Sequence, residues 1–599
     1  MIIWQAVPAK EYRRGFAFCA SVLWKQEILI IYLFIYKTHC NMNLKKFFGL
    51  ALCGIMALAG STAQAQSLSP STKWHWDKGT IVVETPERPA GQEHALNLAV
   101  APIKTVRVAF VGLGMRGPGA VVRFCRIPGV EIVALCDYEY DRAAKCQEEL
   151  RKQGLIPADI YSGEKGYEEL CKRPDIDLVY VAADWNHHYP VAKCALENGK
   201  HTAIEVPSAM NLEQCWSLID LAEKTRLHCF ILENCCYDDY EMNALAMAQD
   251  GVFGEIIRAE GAYIHSLEWF WDAYWKDPAD NDVDNLHWRL KYNKENRGDL
   301  YATHGLGPVA QCLDIHRGDR FTTLVAMDTD PFFGKELVKE KTGKECKEFR
   351  NGDHTTTLMR TAKGKVVEIQ HNVMTPQPYN RLFKLTGTKG YATKYPNPEL
   401  ALSGEALKGT GAPQVDNLNA HGFMSAEQRN AMMAKYYHPI LKKYVEKGRD
   451  LGHGGMDFVM DSRLVYCLQN GLPLDMDVYD MAEWCCLAEL GTLSMDNNCA
   501  AVTFPDFTRG HWNDQKGYKH AYATPEAEAA TEAYAEAYSA TQKEVAAKKN
   551  LWALYDAVKA AKEAGDAKAE AKAQKKLDAA KVAAEKAIEK AMKKAAAKK

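Results

Sequence analysis

Residues 105–137 constrain this chain more than any other stretch: TVRVAFVGLGMRGPGAVVRFCRIPGVEIVALCD. An apolar run at 106–111 leads straight into Gly112-Leu113-Gly114-Met115-Arg116-Gly117. A helical pattern follows over 120–126, then a second apolar run over 131–136 that ends at Asp137. A G-x-G-x-x-G turn between strand and helix predicts a dinucleotide-binding βαβ unit. Gly112 permits the tight turn, Gly114 lets backbone approach a pyrophosphate, and Gly117 lets the helix pack close, with N–H donors at the helix start. Asp137 lies twenty residues past Gly117. Its carboxylate would accept hydrogen bonds from adenosine ribose hydroxyls and repel a 2′-phosphate, so the implied cofactor is NAD rather than NADP.

The alternation continues. Strand patterns recur at 177–182, 201–205 and 228–232, with helical patterns between them, as at 212–225. This predicts a doubly wound parallel sheet, a Rossmann domain over 103–235. Polar groups follow its strands: Asp184-Trp185-Asn186-His187-His188, Glu205-Val206-Pro207 and Glu233-Asn234. Ligands bind at the carboxyl edge of such sheets, so the three motifs outline a nicotinamide and ribose wall. Any one alone reads equally well as ordinary loop polarity. After Asn234, longer alternating stretches at 255–264, 322–328, 354–361, 365–373 and 381–388 predict a large open antiparallel sheet with one face buried. With helices returning at 455–469 and 476–495, they define a substrate domain over 236–510. The fold class is therefore α/β, a Rossmann domain followed by an α+β domain. Residues 66–102 read as a polar lead strapped over the surface, and 523–599, rich in Ala, Lys and Glu, as a helical tail broken near Gly565-Asp566.

Lys45 and Lys46 precede an apolar run at 47–59 and then Ala63-Gln64-Ala65. That order is a cleavable signal peptide, 42–65, with translation starting at Met42. The run is too short to span a bilayer, so the mature chain is expected to carry no stable transmembrane segment and to reside in the periplasm or at the cell surface. An enzyme placed there has no flowing supply of oxidised cofactor. The net charge of −3 gives no electrostatic case for nucleic acid. Eighteen cysteines in an exported chain raise the prospect of disulfides, but they form no framework. Many, such as Cys136, Cys194 and Cys215, sit in apolar segments and read as free buried thiols. No Cys or His cluster has zinc spacing, so no metal is expected. A homo-oligomer is left open.

The strand-end motifs resemble the glucose–fructose oxidoreductase/inositol dehydrogenase family, with two departures. The usual E-K-P appears as Glu205-Val206-Pro207, and the usual D-x-G-x-H run is replaced around Gly298-Asp299-Leu300-Tyr301-Ala302-Thr303-His304-Gly305. Loss of the lysine argues against ordinary net dehydrogenation. One branch shares these departures. GLGMRGPG at 112–119, DWNHH at 184–188, EVPSA at 205–209, YATHGLGP at 301–308 and GHGGMDF at 452–458 are similar to glycoside hydrolase family 109, the NAD-dependent α-N-acetylgalactosaminidases. The resemblance covers most of 105–510, but neither the first 41 residues nor the tail.

It implies cofactor contacts at Met115, Arg116, Asp137, Trp185, Asn186, His187, His188, Glu205, Val206 and Asn234, beside Gly112, Gly114 and Gly117. It implies a sugar site at Tyr263, Arg289, Tyr301, Ala302, Thr303 and His304, which Tyr379 reaches from the sheet. The role of His453 and Asp457 stays open between site and helix cap. The implied substrate is a glycan or glycoside, and the implied route is redox-neutral. Hydride leaves sugar C3 for NAD+, a base removes the C2 proton, the aglycone is eliminated from C1, water adds, and the hydride returns, so NAD is tightly bound and recycled. His304 is the first candidate base, since imidazole titrates near neutrality; Tyr263 or Tyr301 would serve beside a cation. The competing readings are a net sugar or cyclitol dehydrogenase, and a non-catalytic sugar-binding protein that contains NAD.

Overall fold

A computed structural model describes residues 72–273 and 286–597. The signal peptide and the start at Met42 lie outside the described residues. Six parallel strands form the first sheet, in the order Asp159–Ser162, Val130–Asp137, Val106–Val111, Leu178–Val181, His201–Ile204, Cys229–Ile231. The chain winds outward from Val106–Val111 to one edge, then returns to Leu178–Val181 on its other side. The winding therefore reverses between these two central strands, and a crevice opens at their carboxyl ends, where Gly112 and Ala183 lie. Leu178–Val181 is wholly buried, as a strand covered on both faces must be. Asp159–Ser162 has no apolar run to announce it; its side chains are half-buried or exposed at the sheet edge.

The second sheet has ten strands and is mixed, where the alternation alone predicts an antiparallel one. Its order is Trp74–Asp77, Thr80–Val83, Ala501–Thr503, Phe321–Asp328, Thr355–Thr361, Val366–Asn372, Ile256–Ile264, Lys384–Gly387, Gly390–Thr393, Glu399–Leu402. Ile256–Ile264 runs parallel to Val366–Asn372, with Tyr263 opposite His371. Period-two alternation reports a half-buried face and not the direction of a neighbour, which explains the miss. The lead is more than a strap. Trp74–Asp77 and Thr80–Val83 form a hairpin that extends this sheet.

Leu212–Thr225 forms where its pattern predicts, capped by the Asn211 side chain accepting from the Gln214 N–H. The tail folds into helices Pro525–Lys548, Leu551–Glu563 and Ala567–Ala596. Gly565, at φ +68°, and Asp566, which caps the last helix, make the predicted break; a second falls at Asn550. Among the described residues, fifteen cysteines are free and thirteen of them buried. No helix among the described residues is long and apolar enough to cross a membrane.

Two buried histidines underlie the first sheet. The His201 and His228 rings lie 5.3 Å apart, and His201 Nδ1 accepts from the His228 N–H at 3.0 Å. Burial pushes His201 down to about 4, and burial followed by the His201 charge pushes His228 down to about 3. Both are neutral in the fold and protonated in the unfolded chain below about pH 6.5. Their contribution to stability is therefore lost as pH falls from about 6.5 toward those values, about 2 kcal/mol per ring by pH 4.5. His228→Gln is expected to lose less of its thermal midpoint than wild type between pH 7 and 4.5, measured by differential scanning fluorimetry.

Candidate functional site

The glycine turn is shaped by close approach. A Cβ on Gly112, whose φ is +92°, would lie 2.3 Å from the Ala183 nitrogen, and one on Gly117 would lie 2.0 Å from the Gly112 oxygen. Around Gly114 the nearest atom is Arg142 Nη1 at 3.9 Å, so this position stays open. Helix Gly117–Phe124 has no side-chain cap, which leaves its first N–H groups for a ligand. Asp137 is buried, and its carboxylate accepts from the Leu113 N–H at 2.6 Å, the Glu139 N–H at 2.9 Å and Arg142 at 3.3 Å. It braces the glycine turn as well as standing where an adenosine ribose would lie. The tight Gly112 crossing, the open side of Gly114 and the uncapped helix together fit a dinucleotide.

The strand-end motifs converge on a charged knot. Arg116 reaches Glu205 at 3.4 Å and Asp457 at 3.3 Å. The Asp457 carboxylate is fully buried and also accepts from Asn234 at 2.6 Å, His453 at 3.0 Å and Arg123 at 3.5 Å. Burial pushes its pKa up, but the His453 hydrogen bond and the Arg116 and Arg123 charges outweigh this and hold it far below the usual range. The open role of the GHGGMDF segment is thereby resolved. Asp457 ties the glycine turn to the second domain. Trp185 is buried. Asp184 caps the helix that Trp185 starts and pairs with the exposed His187 at 2.6 Å, while Asn186 is exposed. His188 is buried, its two ring nitrogens against the carbonyls of Pro207 at 2.8 Å and Ala183 at 2.9 Å. It pins two strand-end loops together. Val206 is buried and Met115 is exposed.

The sugar-side residues gather through a glycine–glycine contact. A Cβ on Gly261 would lie 2.1 Å from the Gly305 oxygen, and one on Gly305 would lie 2.4 Å from the Ala262 nitrogen. Helix Thr303–Cys312 can therefore sit directly on strand Ile256–Ile264, which sets His304 beside Tyr263 with ring centres 5.2 Å apart. Tyr301 lies 4.6 Å from Tyr263, 4.9 Å from His304, and stacks on Trp185 at 5.7 Å. The Arg289 guanidinium is enclosed by rings, 4.5 Å from Tyr301 and 5.0 Å from Trp185. Among the described residues, its buried Nε and Nη2 have no hydrogen-bond partner. Tyr379, 44 % exposed, meets Tyr263 at 6.3 Å and stands at the margin. Ala302 and Thr303 are buried at the start of their helix.

The residue that sequence reasoning passed over is Glu233. The sequence sets it with Asn234 in the strand-end wall but gives it no part in the proton chemistry. Its Oε1 lies 2.6 Å from His304 Nδ1, and the side chain is fully buried. Burial pushes the carboxyl up, yet the His304 charge and hydrogen bond, joined by the Cys235 N–H, bring it below its ordinary value. It stays ionised, holds the proton on Nδ1, and leaves Nε2 as the basic nitrogen. His265 was also missed. It packs against Tyr263 at 4.8 Å, and burial with the Arg289 charge pushes it down to about 4. Glu233, Cys235 and His304 have ligand-type atoms within 4.8 Å of one another, but Arg381 lies 2.9 Å from the Cys235 sulfur and opposes a cation there. A cavity of about 410 Å³ opens at the other end of the first sheet, beside Leu227 and His228, and none of these site residues lines it.

Comparison with known proteins follows the same division. Residues 106–232 match the oxidoreductase family with an NAD-binding Rossmann fold, and 237–514 match the glycosyl hydrolase 109 C-terminal domain. Glycosyl hydrolase family 109 protein 3 of Phocaeicola vulgatus is 76 % identical over 520 residues, which cover 87 % of this chain and 94 % of that one. The chain belongs to glycosyl hydrolase family 109. Family 109 protein 1 of Bacteroides thetaiotaomicron is 53 % identical over 482 residues, 80 % of this chain and 100 % of its own. An oxidoreductase domain protein from Kribbella flavida shares the fold, at 17 % identity and a TM-score of 0.51 over 67 % of this chain and all of that one. As a family 109 member the protein is a glycoside hydrolase with an NAD-binding domain, and its substrate class is a glycan or glycoside.

The glycine geometry separates two nearby substitutions. Gly112→Ala is expected to lower the thermal midpoint and abolish NAD binding, because its Cβ meets the Ala183 backbone. Gly119→Ala, whose Cβ would meet only Arg123 Nη1 at 3.5 Å, should do neither. Calorimetric titration with NAD and a melting curve check both.

Proposed function

We propose that the protein removes terminal α-N-acetylgalactosamine from glycans, with NAD retained and recycled so that no net oxidation occurs. The observation that carries this reading is the Glu233–His304 pair, whose imidazole lies beside Tyr263 and Tyr301, the latter also facing Arg289. NAD, held by the Gly112–Gly117 turn and the uncapped start of the following helix, would supply reversible hydride acceptance at the sugar.

The chain's own groups then have distinct tasks. His304 Nε2 takes and returns the proton at sugar C2, while Glu233 fixes the tautomer and stabilises the imidazolium that forms. Arg289 only donates hydrogen bonds, so its open Nε and Nη2 suit sugar hydroxyls or the acetamido carbonyl. Tyr263 and Tyr301 wall the sugar and keep water from the dyad. Burial raises both phenols, as expected of neutral walls and donors rather than phenolate bases. Val206 carries no titratable group, so the C3 hydroxyl proton that leaves with the hydride passes to water and returns from it when the hydride does. The signal-like order of residues 42–65 supports export to the periplasm or cell surface, where a retained cofactor serves better than an exchanged one.

Aryl α-N-acetylgalactosaminide is expected to release its aglycone without added NAD, and in D2O the released sugar should carry deuterium at C2. A requirement for added NAD, with a ketone product, would instead identify a net dehydrogenase. Glu233→Gln should lower kcat by roughly 10²–10⁴ with a smaller change in KM, since it removes the anion that orients the base and leaves the sugar contacts in place. Steady-state kinetics at several pH values test this; an unchanged kcat would remove Glu233 from the mechanism.

A further inference from the structure

The tail is the largest part of the described chain that the function leaves unused. The Bacteroides thetaiotaomicron relative matches over its whole length with only 80 % of this chain, so family membership does not require all of it. The first tail helix touches Lys443, Tyr466 and Asn470 of the second domain, and the tail also grips one edge of the first sheet. The Tyr538 hydroxyl donates to Glu131 at 2.6 Å, the Gly129 N–H donates to Ser539 at 3.0 Å, Trp552 Nε1 donates to the Leu155 carbonyl at 2.9 Å, and Lys581 pairs with Asp159 at 2.5 Å.

Helix Tyr140–Lys152 lies within this grip and is held at both ends. At its carboxyl end, Arg151 stacks 4.8 Å over Trp552 and pairs with Asp556. At its amino end, Lys562 Nζ sits 3.5 Å from the Tyr140 ring centre. Burial, then Glu570 of the tail, Asp141 and Glu563 of the tail, pushes the half-buried Tyr140 phenol up. Two residues beyond Tyr140, Arg142 reaches Asp137 and lies over Gly114. The Glu139 N–H, just ahead of the helix, donates to Asp137 as well. The tail thus fixes the segment that carries two of the three donors to the carboxylate beside the adenosine ribose.

We infer that the C-terminal tail is a cofactor-retention brace, and that Trp552 and Lys562 are positioning residues that slow NAD release. Release requires the 137–142 segment to swing away from the ribose, and helices clamped at both ends of Tyr140–Lys152 oppose that motion. The inference rests on the reading that NAD is kept through many turnovers.

The test uses full-length protein purified with its cofactor: wild type, Lys562→Ala, Trp552→Ala/Lys562→Ala, and Lys593→Ala as a control on the exposed face of the last helix. NAD per chain is measured after acid release, and NAD dissociation is followed after dilution into an NAD-scavenging enzyme. Amide exchange is read over residues 138–152. The double variant is expected to release NAD at least tenfold faster, with faster exchange in that segment, while Lys593→Ala matches wild type. Lys562→Ala alone, a substitution at a half-exposed site, should shift release in the same direction and guards against a double variant that folds poorly. Unchanged release in both variants from a wild type that does carry NAD overturns the brace alone, even if the thermal midpoint falls. A wild type that binds no NAD overturns the cofactor reading and the brace together.

Discussion

One buried carboxylate holds the working parts of this enzyme in register. Asp457 is fully enclosed, and an enclosed anion is tolerated only when its lone pairs are filled by donors. Its donors come from three separate parts of the chain: Arg116 and Arg123 at the glycine turn and its helix, Asn234 after the last strand of the first sheet, and His453 on the turn before its own helix. Each partner needs the others in place. The cofactor edge and the second domain are therefore specified together, and a shift of either would part the buried Arg123 from both Asp461 and Asp457.

The proposed reacting groups depend on the same joint. Glu233 lies two residues past the last strand of the first sheet, whereas His304 belongs to a helix seated on the second. Neither domain alone contains the proposed base and its carboxylate. The dyad exists because Gly261 and Gly305 let helix and strand backbones touch, and because Asn234, next to Glu233, is tied to Asp457. Geometry that precise is expected of a group whose usefulness depends on which ring nitrogen bears the proton.

Much of this was legible in the sequence, and the parts that were not share a cause. The glycine turn, the strands around it, Asp137, and the gathering of Tyr263, Arg289, Tyr301 and His304 rest on local patterns or on motif resemblance. Glu233 stood in plain view at a strand end, but its partner is 71 residues away, and no spacing rule connects them. The role of Asp457 stays open in the sequence, because its partners lie more than 200 residues upstream apart from His453. The parallel pairing of Ile256–Ile264 with Val366–Asn372 was hidden for the same reason: alternation records which face is buried, not which strand lies beside it. Asp159–Ser162 escaped because an edge strand needs no apolar run.

The contrast between two arginines shows how the site separates structure from function. Arg381 is buried with both terminal nitrogens engaged, Nη2 on Glu241 at 2.7 Å and Asp238 at 2.9 Å and Nη1 on the Cys235 sulfur, while its Nε has no partner among the described residues. That is how a structural guanidinium is neutralised. Arg289 is equally enclosed, yet it meets ring faces where Arg381 meets carboxylates, and two of its nitrogens find nothing to donate to. Ring faces recover part of the lost hydration through cation–π attraction, but they accept no conventional hydrogen bond along the guanidinium plane. An unfilled donor set in a closed aromatic box, beside a tautomer-locked histidine, is a cost in the empty protein that a bound acceptor removes. A carboxylate at that position would have made the box stable and useless. Its absence leaves Arg289 available to whatever ligand brings an oxygen, and puts the proposed recognition group and the proposed proton-moving dyad against the same ring, Tyr301.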